Sequence, residues 1–426
     1  MLRRAACVIL AGIGFLSTTE WFALSLQAAE PMRLTDQALE IHRQSVVVDG
    51  HNNLLMRLRN GSNSGPNFEN VRLDREQSAL HTDIPKLIRG GVGVEFFATY
   101  VPTSSGKRGT AIRETLEQID QIHQLAERYA DVFEVALSAS DIQRIQSNGK
   151  VAIVVTVEGG NTIENSLPVL RTYHQAGVRC LAITHDDTTD WADAALDKAK
   201  HGGLAKFGEQ VIAEMNRLGM VIDLSHSSEA TIKKALEVST APVLLSHSGS
   251  YKLAPYPRNV SDDTLRLIAR NGGVVMVNFY AGFLTAECVK VYERRTKAAA
   301  ELRKSFKTEE QFQVAVAALL KEHPLPTTTV KDVVDHIDHI VKVAGIDHVG
   351  LGSNFDGVVS LPQHLENVSC FPFVTQELLN RGYTKEQIQK VLGGNALRVL
   401  GTVESVAKNI KAGRNASATV ATSLEQ

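Results

Sequence analysis

Eight apolar runs of strand length punctuate the chain, and between them apolar positions recur at the spacing of a helix face. The runs cover residues 45–51, 92–101, 151–158, 178–185, 220–226, a stretch ending at His247, 273–279 and 348–354. Helices are predicted near 34–43, 110–130, 164–176 and 203–218, with a helical turn at 83–89. The longest carries Ile112, Leu116, Ile119, Ile122 and Leu125 on one face. Gly219 stops the helix before it, and Ser261 caps another whose first turn holds Asp262 and Asp263, as the helix dipole favours. A helical insertion occupies 281–345, with helices near 286–304, 308–322 and 330–344, and two more helices follow at 374–381 and 385–398. The Gly- and Asn-rich stretch 60–70 reads as a loop, and the tail 412–426 as disordered.

Strands alternating with helices, without short repeats, predict one α/β domain over 30–411, a (β/α)8 TIM barrel with the helical insertion before its last strand. A doubly wound sheet is the competing arrangement. The polar residues favour the barrel. His51, Glu158, His185, His226, His247 and Asn354 all fall at carboxyl ends of predicted strands, where a parallel barrel gathers its chemistry.

That chemistry is densest from Met220 to Ser248, where MVIDLSH and APVLLSHS flank a short amphipathic segment. This is a β-α-β unit with an imidazole at each strand exit, which makes His226 and His247 neighbours. Neighbouring imidazoles suggest a metal, although each alone also fits a histidine hydrogen-bonded at a strand end. Glu158 closes a buried strand and needs something positive beside it, because an unpaired ionised carboxylate is costly to bury. With His51 these residues form a ligand set for a divalent metal, zinc first, and a Glu158 bridging two ions would leave a shared water activated as the nucleophile. Asn53, two residues beyond His51, points to the same side. His185 fits an orienting or electrophilic group, or a histidine bonded to Asp187 or Asp190. Arg258 either holds a substrate carboxylate or pairs with Asp262 or Asp263, while Trp191 and Tyr256 read as packing.

Composition narrows the partners. With 45 basic and 47 acidic residues the net charge is -2, which gives no electrostatic footprint for nucleic acid and points to small or neutral partners. Residues 1–29 pair Arg3 and Arg4 with an apolar run to Leu16 and small residues at Ala28 and Ala29, the pattern of a secretory signal, with an uncleaved anchor as the alternative. Export is therefore expected, to a periplasmic, extracellular or membrane-associated location. Beyond that segment Cys180, Cys288 and Cys370 allow at most one pair and form no C-x-x-C metal motif.

The segments DGHNN (49–53), VEGG (157–160), LAITHDDTTDWADAA (181–195), PVLLSHS (242–248), PRNVSDD (257–263) and DHVGLGSNFDG (347–357) resemble the membrane dipeptidase (renal dipeptidase) family of zinc hydrolases, in the family's order. The resemblance implies a barrel of the metal-dependent hydrolase type that uses two Zn2+ ions and metal-activated water to cleave dipeptides with both ends free. It makes His51 and residue 53 ligands of one zinc, Glu158 the bridge, and His226 and His247 ligands of the other. His185 would bind the carbonyl oxygen, Arg258 the substrate carboxylate, and the protein would be a homodimer. Two positions depart from the pattern, since Asn53 and Asn354 stand where the family has Asp. The lost charge at 53 lowers the expected occupancy of the first zinc, and an amide at 354, although still placed to bind the substrate, does not pass a proton to the leaving amine as the family's Asp does. Asp356 is a substitute only if the chain turns back, because two residues of strand span ~7 Å. The expectation is a weakened zinc dipeptidase, with a non-catalytic peptide-binding relative and a one-metal amidohydrolase acting on a lactone or cyclic amide as rivals.

Overall fold

The computed structural model describes residues 32–59 and 71–413, so the expected signal, the loop 60–70 and most of the expected tail lie outside the described residues. Among the described residues nine strands form one sheet: β1 (Val47–Asn52), β2 (Val92–Tyr100), β3 (Phe133–Val135), β4 (Val151–Glu158), β5 (Val178–Ala182), β6 (Val221–Asp223), β7 (Leu244–Ser248), β8 (Val274–Val277) and β9 (Val349–Leu351). Their order is β1-β2-β4-β5-β6-β7-β8-β9, and each neighbouring pair is parallel. The ends of this order meet. Asn52 bridges to Phe355 just beyond β9, the Asn354 N–H donates to the His51 carbonyl at 2.9 Å, and the Asn53 N–H donates to the Phe355 carbonyl at 2.9 Å. The sheet is thus the expected (β/α)8 barrel, and its closure excludes the doubly wound alternative, whose edges stay open.

β3 is the strand that the apolar pattern missed. It has three residues, of which only Phe133 is buried, and it pairs with the start of β4 next to the stretch that β5 occupies. Inside the ring, Gly50 and Gly352 let β1, β7 and β9 close around Met276, since a Cβ on either would collide with the Met276 side chain or the Ser246 carbonyl.

The helices begin where the sequence offers a hydroxyl. Ser138, Ser166, Ser228, Ser261, Thr285 and Thr329 each accept a first-turn backbone N–H. The insertion helices are Ala286–Ser305, Glu309–Glu322 and Val330–Ala344, close to their expected bounds. The third buries Val333, Val334, Ile337 and Ile340 in the main core and serves as the crossover between β8 and β9. The other two share a small core of their own around Ala299, Phe312 and Val316.

The last helix outruns its expected end. After Lys385–Gln389 comes a π turn, Lys390–Gly394, and then a helix over Asn395–Gly413 that passes through the point where disorder was expected to begin. Gly393 sits against the Val46 carbonyl and Val48, where a side chain has no room. Val399, Leu400 and Val403 share one apolar cluster with Val94, Val154, Val221 and Met276, so this helix plugs the end of the barrel opposite the strand exits.

Three strands stop three residues short of the ends of their apolar runs: β5 at Ala182, β6 at Asp223 and β9 at Leu351. His185, His226 and Asn354 consequently stand on connecting segments at the mouth. For β6 the cause is Asp223, whose Oδ1 accepts the Ser225 and Ser246 N–H groups at 3.0 Å each and whose Oδ2 accepts the Ser246 hydroxyl at 2.6 Å. The side chain takes donors that the ladder would have used. Asp49 does the same at the seam, accepting the Ser353 N–H at 2.7 Å and the Ser353 hydroxyl.

Candidate metal and substrate site

Glu158 ends β4 with its carboxylate buried in the barrel mouth. Four imidazole Nε2 atoms face its Oε1: His226 at 3.2 Å, His51 at 3.4 Å, His247 at 3.6 Å and His185 at 3.8 Å. Asn53 Nδ2 faces the other oxygen at 3.4 Å. The strand exits thus bring together all five residues read as metal ligands, and His185 with them. Two triplets have a geometry able to hold a cation, His51–Glu158–His247 and Glu158–His185–His226.

The neighbours of the imidazoles decide where their protons sit. Burial works against charge on Asp186, but the His185 and His226 rings hold its carboxyl far below the usual carboxylate range, so it accepts from His226 Nδ1 at 2.9 Å. Ser246 gives its proton to Asp223, and its oxygen therefore accepts from His247 Nδ1 at 2.8 Å. In its neutral form each ring so fixed turns a bare Nε2 to the mouth, and these two atoms lie 2.9 Å apart. Burial opposes charge on Glu158, but the ring of His51, first among its neighbours, holds its carboxyl well below the usual carboxylate range, so it is ionised as well. Lone pairs facing one another and a carboxylate repel, and a divalent cation among them removes the conflict. His51 adds two buried ring nitrogens without a hydrogen-bond partner. Imidazole and carboxylate are the donors zinc prefers, so these residues fit the metal.

Beside this polar wall lies an open cavity. Its other side is apolar, formed by Leu196, Tyr280, Phe283, Tyr292 and Val358, and buried Arg258 stands where the two sides meet. Arg258 donates through Nε to the Ser225 carbonyl at 2.9 Å and through Nη2 to the His247 carbonyl at 3.3 Å, which leaves three of its five N–H groups for a ligand. The two acids considered as its partners are engaged elsewhere, Asp262 with His339 at 2.7 Å and Asp263 with Arg266 at 2.8 Å. His185 stacks on His226 with ring centroids 4.1 Å apart. Trp191 is buried against Gly160, Gly208 and Phe207, a packing position.

The two departures from Asp are neighbours in space. The Asn53 and Asn354 amide oxygens both abut Gly357, where a Cβ would strike them. Asn354 and Asp356 each have φ 63°, so the chain does turn back after Asn354. The turn, however, carries Asp356 away from the cavity: its Oδ1 accepts the His81 N–H at 2.8 Å, and its own N–H donates to His81 Nδ1 at 2.9 Å. Asp49, Asp186 and Asp223, which fix the rings and the seam, were not singled out from the sequence. An acid one to three residues from a strand-exit histidine, as in DGH, HD and DLSH, was the available signal.

Comparison with known proteins places the chain. The sequence profile of membrane dipeptidase (peptidase family M19) matches residues 35–414. Dipeptidase 3 of Mus musculus is 37% identical over 379 residues, covering 88% of this chain and 68% of that protein. Dipeptidase aclJ of Aspergillus oryzae is 36% identical over 345 residues, 79% of this chain and 73% of that one. Among solved structures, the probable dipeptidase PvdM from Pseudomonas aeruginosa aligns with a TM-score of 0.73 at 25% identity, over 87% of this chain and 98% of that one. A profile match across the whole barrel, on a fold whose mouth gathers the matching residues, shows that the chain belongs to the membrane dipeptidase family of metallopeptidases.

Proposed function

We propose that the protein is an exported, zinc-dependent dipeptidase of low turnover, directed outward by its N-terminal segment and working as a homodimer. The convergence of four imidazole nitrogens on one ionised carboxylate oxygen carries this reading. His226 and His247 with Glu158 would hold one zinc ion, and His51, Asn53 and Glu158 a second, held more weakly because Asn53 brings no charge. Zinc bound there supplies Lewis acidity, polarising the scissile carbonyl and letting water release a proton near neutral pH.

The chain's own groups do the remaining work. Arg258 takes the terminal carboxylate on its unused N–H groups and so fixes the distance from chain end to scissile bond, which measures out two residues. Burial and the adjacent His226 pull the His185 pKa down to about 4, so the ring is neutral in the working range and donates to the carbonyl oxygen as charge builds there. Asn354 contacts the substrate at the mouth, but its amide cannot hand a proton to the departing amine, and this sets the low turnover. Asp356 faces His81 and is given no part in the reaction.

The test is an assay of zinc-loaded protein on free-ended dipeptides and on their N-acetyl and C-amide forms. Only the free-ended set should be cleaved, and a chelator should abolish cleavage. If neither the native chain nor the Asn53→Asp, Asn354→Asp double variant cleaves any dipeptide while each binds zinc, the catalytic reading fails and a peptide-binding role replaces it.

A further inference from the structure

We propose that the aromatic wall beside Arg258 is a side-chain pocket that makes the site selective for a large apolar residue at the substrate's C-terminal position. The proposal rests on the dipeptidase reading and names its substrate class. The wall comes from three separate parts of the chain. Tyr256 lies in the loop after β7, Tyr280 and Phe283 follow β8, and Tyr292 sits on the first insertion helix. Tyr256 stacks on Phe283 with centroids 4.7 Å apart, and Tyr292 meets the Phe283 and Tyr280 rings edge-on at 5.6 and 5.7 Å. Each ring braces the others, so the surface is set before any ligand arrives and little conformational entropy is lost on binding. The cavity face of this cluster is formed by Tyr280, Phe283 and Tyr292, with Leu196 and Val358 packed against them.

Arg258 decides which end of the substrate meets the rings. Its guanidinium carbon lies 5.7 Å from the Phe283 ring centre, so a carboxylate held by its free N–H groups is anchored at the edge of the aromatic wall. The α-carbon bearing that carboxylate sends its nitrogen toward the scissile bond over Glu158 and the histidines. Its side chain is then left facing the apolar side. The N-terminal residue lies across the polar wall, where Asn53 and Glu158 stand and where, among the described residues, the apolar surface is limited to Met56 and the Tyr100 ring on His185.

The experiment compares Ala-Phe, Ala-Leu, Ala-Gly and Phe-Ala on the zinc-loaded full chain, with kcat and KM separated. Ala-Phe and Ala-Leu should exceed Ala-Gly in kcat/KM by about 10- to 100-fold, and Phe-Ala should gain no such advantage. In Phe283→Ala and Tyr292→Ala the ratio of Ala-Phe to Ala-Gly should fall at least about tenfold, chiefly through KM. Because those changes open the core of the wall, Val358→Trp provides a second variant, which fills the pocket and should lower the same ratio. Equal kcat/KM for Ala-Phe and Ala-Gly, or a preference that follows the N-terminal residue, overturns the proposal. Calorimetric binding of the same dipeptides separates it from the function it rests on: tighter binding of Ala-Phe without turnover keeps the pocket and removes the catalysis, whereas equal binding removes the pocket.

Discussion

Asn354 and Asn53 touch the same glycine, so the two lost charges lie in one corner of the mouth. A carboxylate at 354 would regain a group able to carry a proton to the leaving amine, and Asn354→Asp is expected to raise kcat by about 10²- to 10⁴-fold with a smaller effect on KM. Steady-state kinetics on a free-ended dipeptide decide this, and an unchanged kcat would remove Asn354 from the account of slow turnover. Asp186 works one shell further out. It holds His226 in the tautomer that leaves Nε2 bare, so Asp186→Asn should weaken zinc affinity by about 10- to 100-fold in competition with a chromogenic chelator. The residues proposed as ligands were legible in the sequence, because few residue types hold zinc and these lay at predicted strand ends. Tyr280, Phe283 and Tyr292 were not, since a ring's place in a wall depends on how loops and an insertion fold over the mouth.

At the level of elements, the helix Val330–Ala344 is tied to the mouth loops by one buried histidine. His336 Nδ1 accepts the Ser250 N–H at 2.8 Å, and its Nε2 donates to the Leu284 carbonyl at 2.9 Å. Accepting at Nδ1 requires the neutral ring, and burial pulls its pKa down to about 4. As pH falls, the unfolded chain takes up this proton first, near 6.5, so the stability contributed by His336 is complete above that value and is lost progressively toward pH 4. The loss is about 3 kcal/mol. Urea unfolding of the native chain and of His336→Gln at pH 7 and pH 4.5 checks it: the native chain should lose more stability on acidification than the variant. Strand positions could be read from the apolar runs, but the strand ends could not. Asp223 and Asp49 draw backbone N–H groups out of the ladder, a side-chain effect that a hydropathy pattern does not carry. The reach of the last helix was hidden for a different reason, its apolar face being matched to a surface that exists only once the barrel has closed.

Across the whole molecule, among the described residues, no covalent cross-link contributes. Cys180, Cys288 and Cys370 are buried and free, so the single pair that the sequence allowed does not form, and a thiol reductant is expected to leave the Tm unchanged in a thermal scan. What joins the two ends of the barrel is the seam between β1 and the segment after β9, where Asn354 meets the His51 carbonyl and Asn52 pairs with Phe355. That seam has a consequence for the order of synthesis. A growing polypeptide holds every imidazole of the site by the time His247 has been made, yet its first strand has no final neighbour until some hundred further residues have been added. The nascent protein therefore stays chemically silent through most of its production, and its hydrolytic power switches on with the arrival of the closing strand.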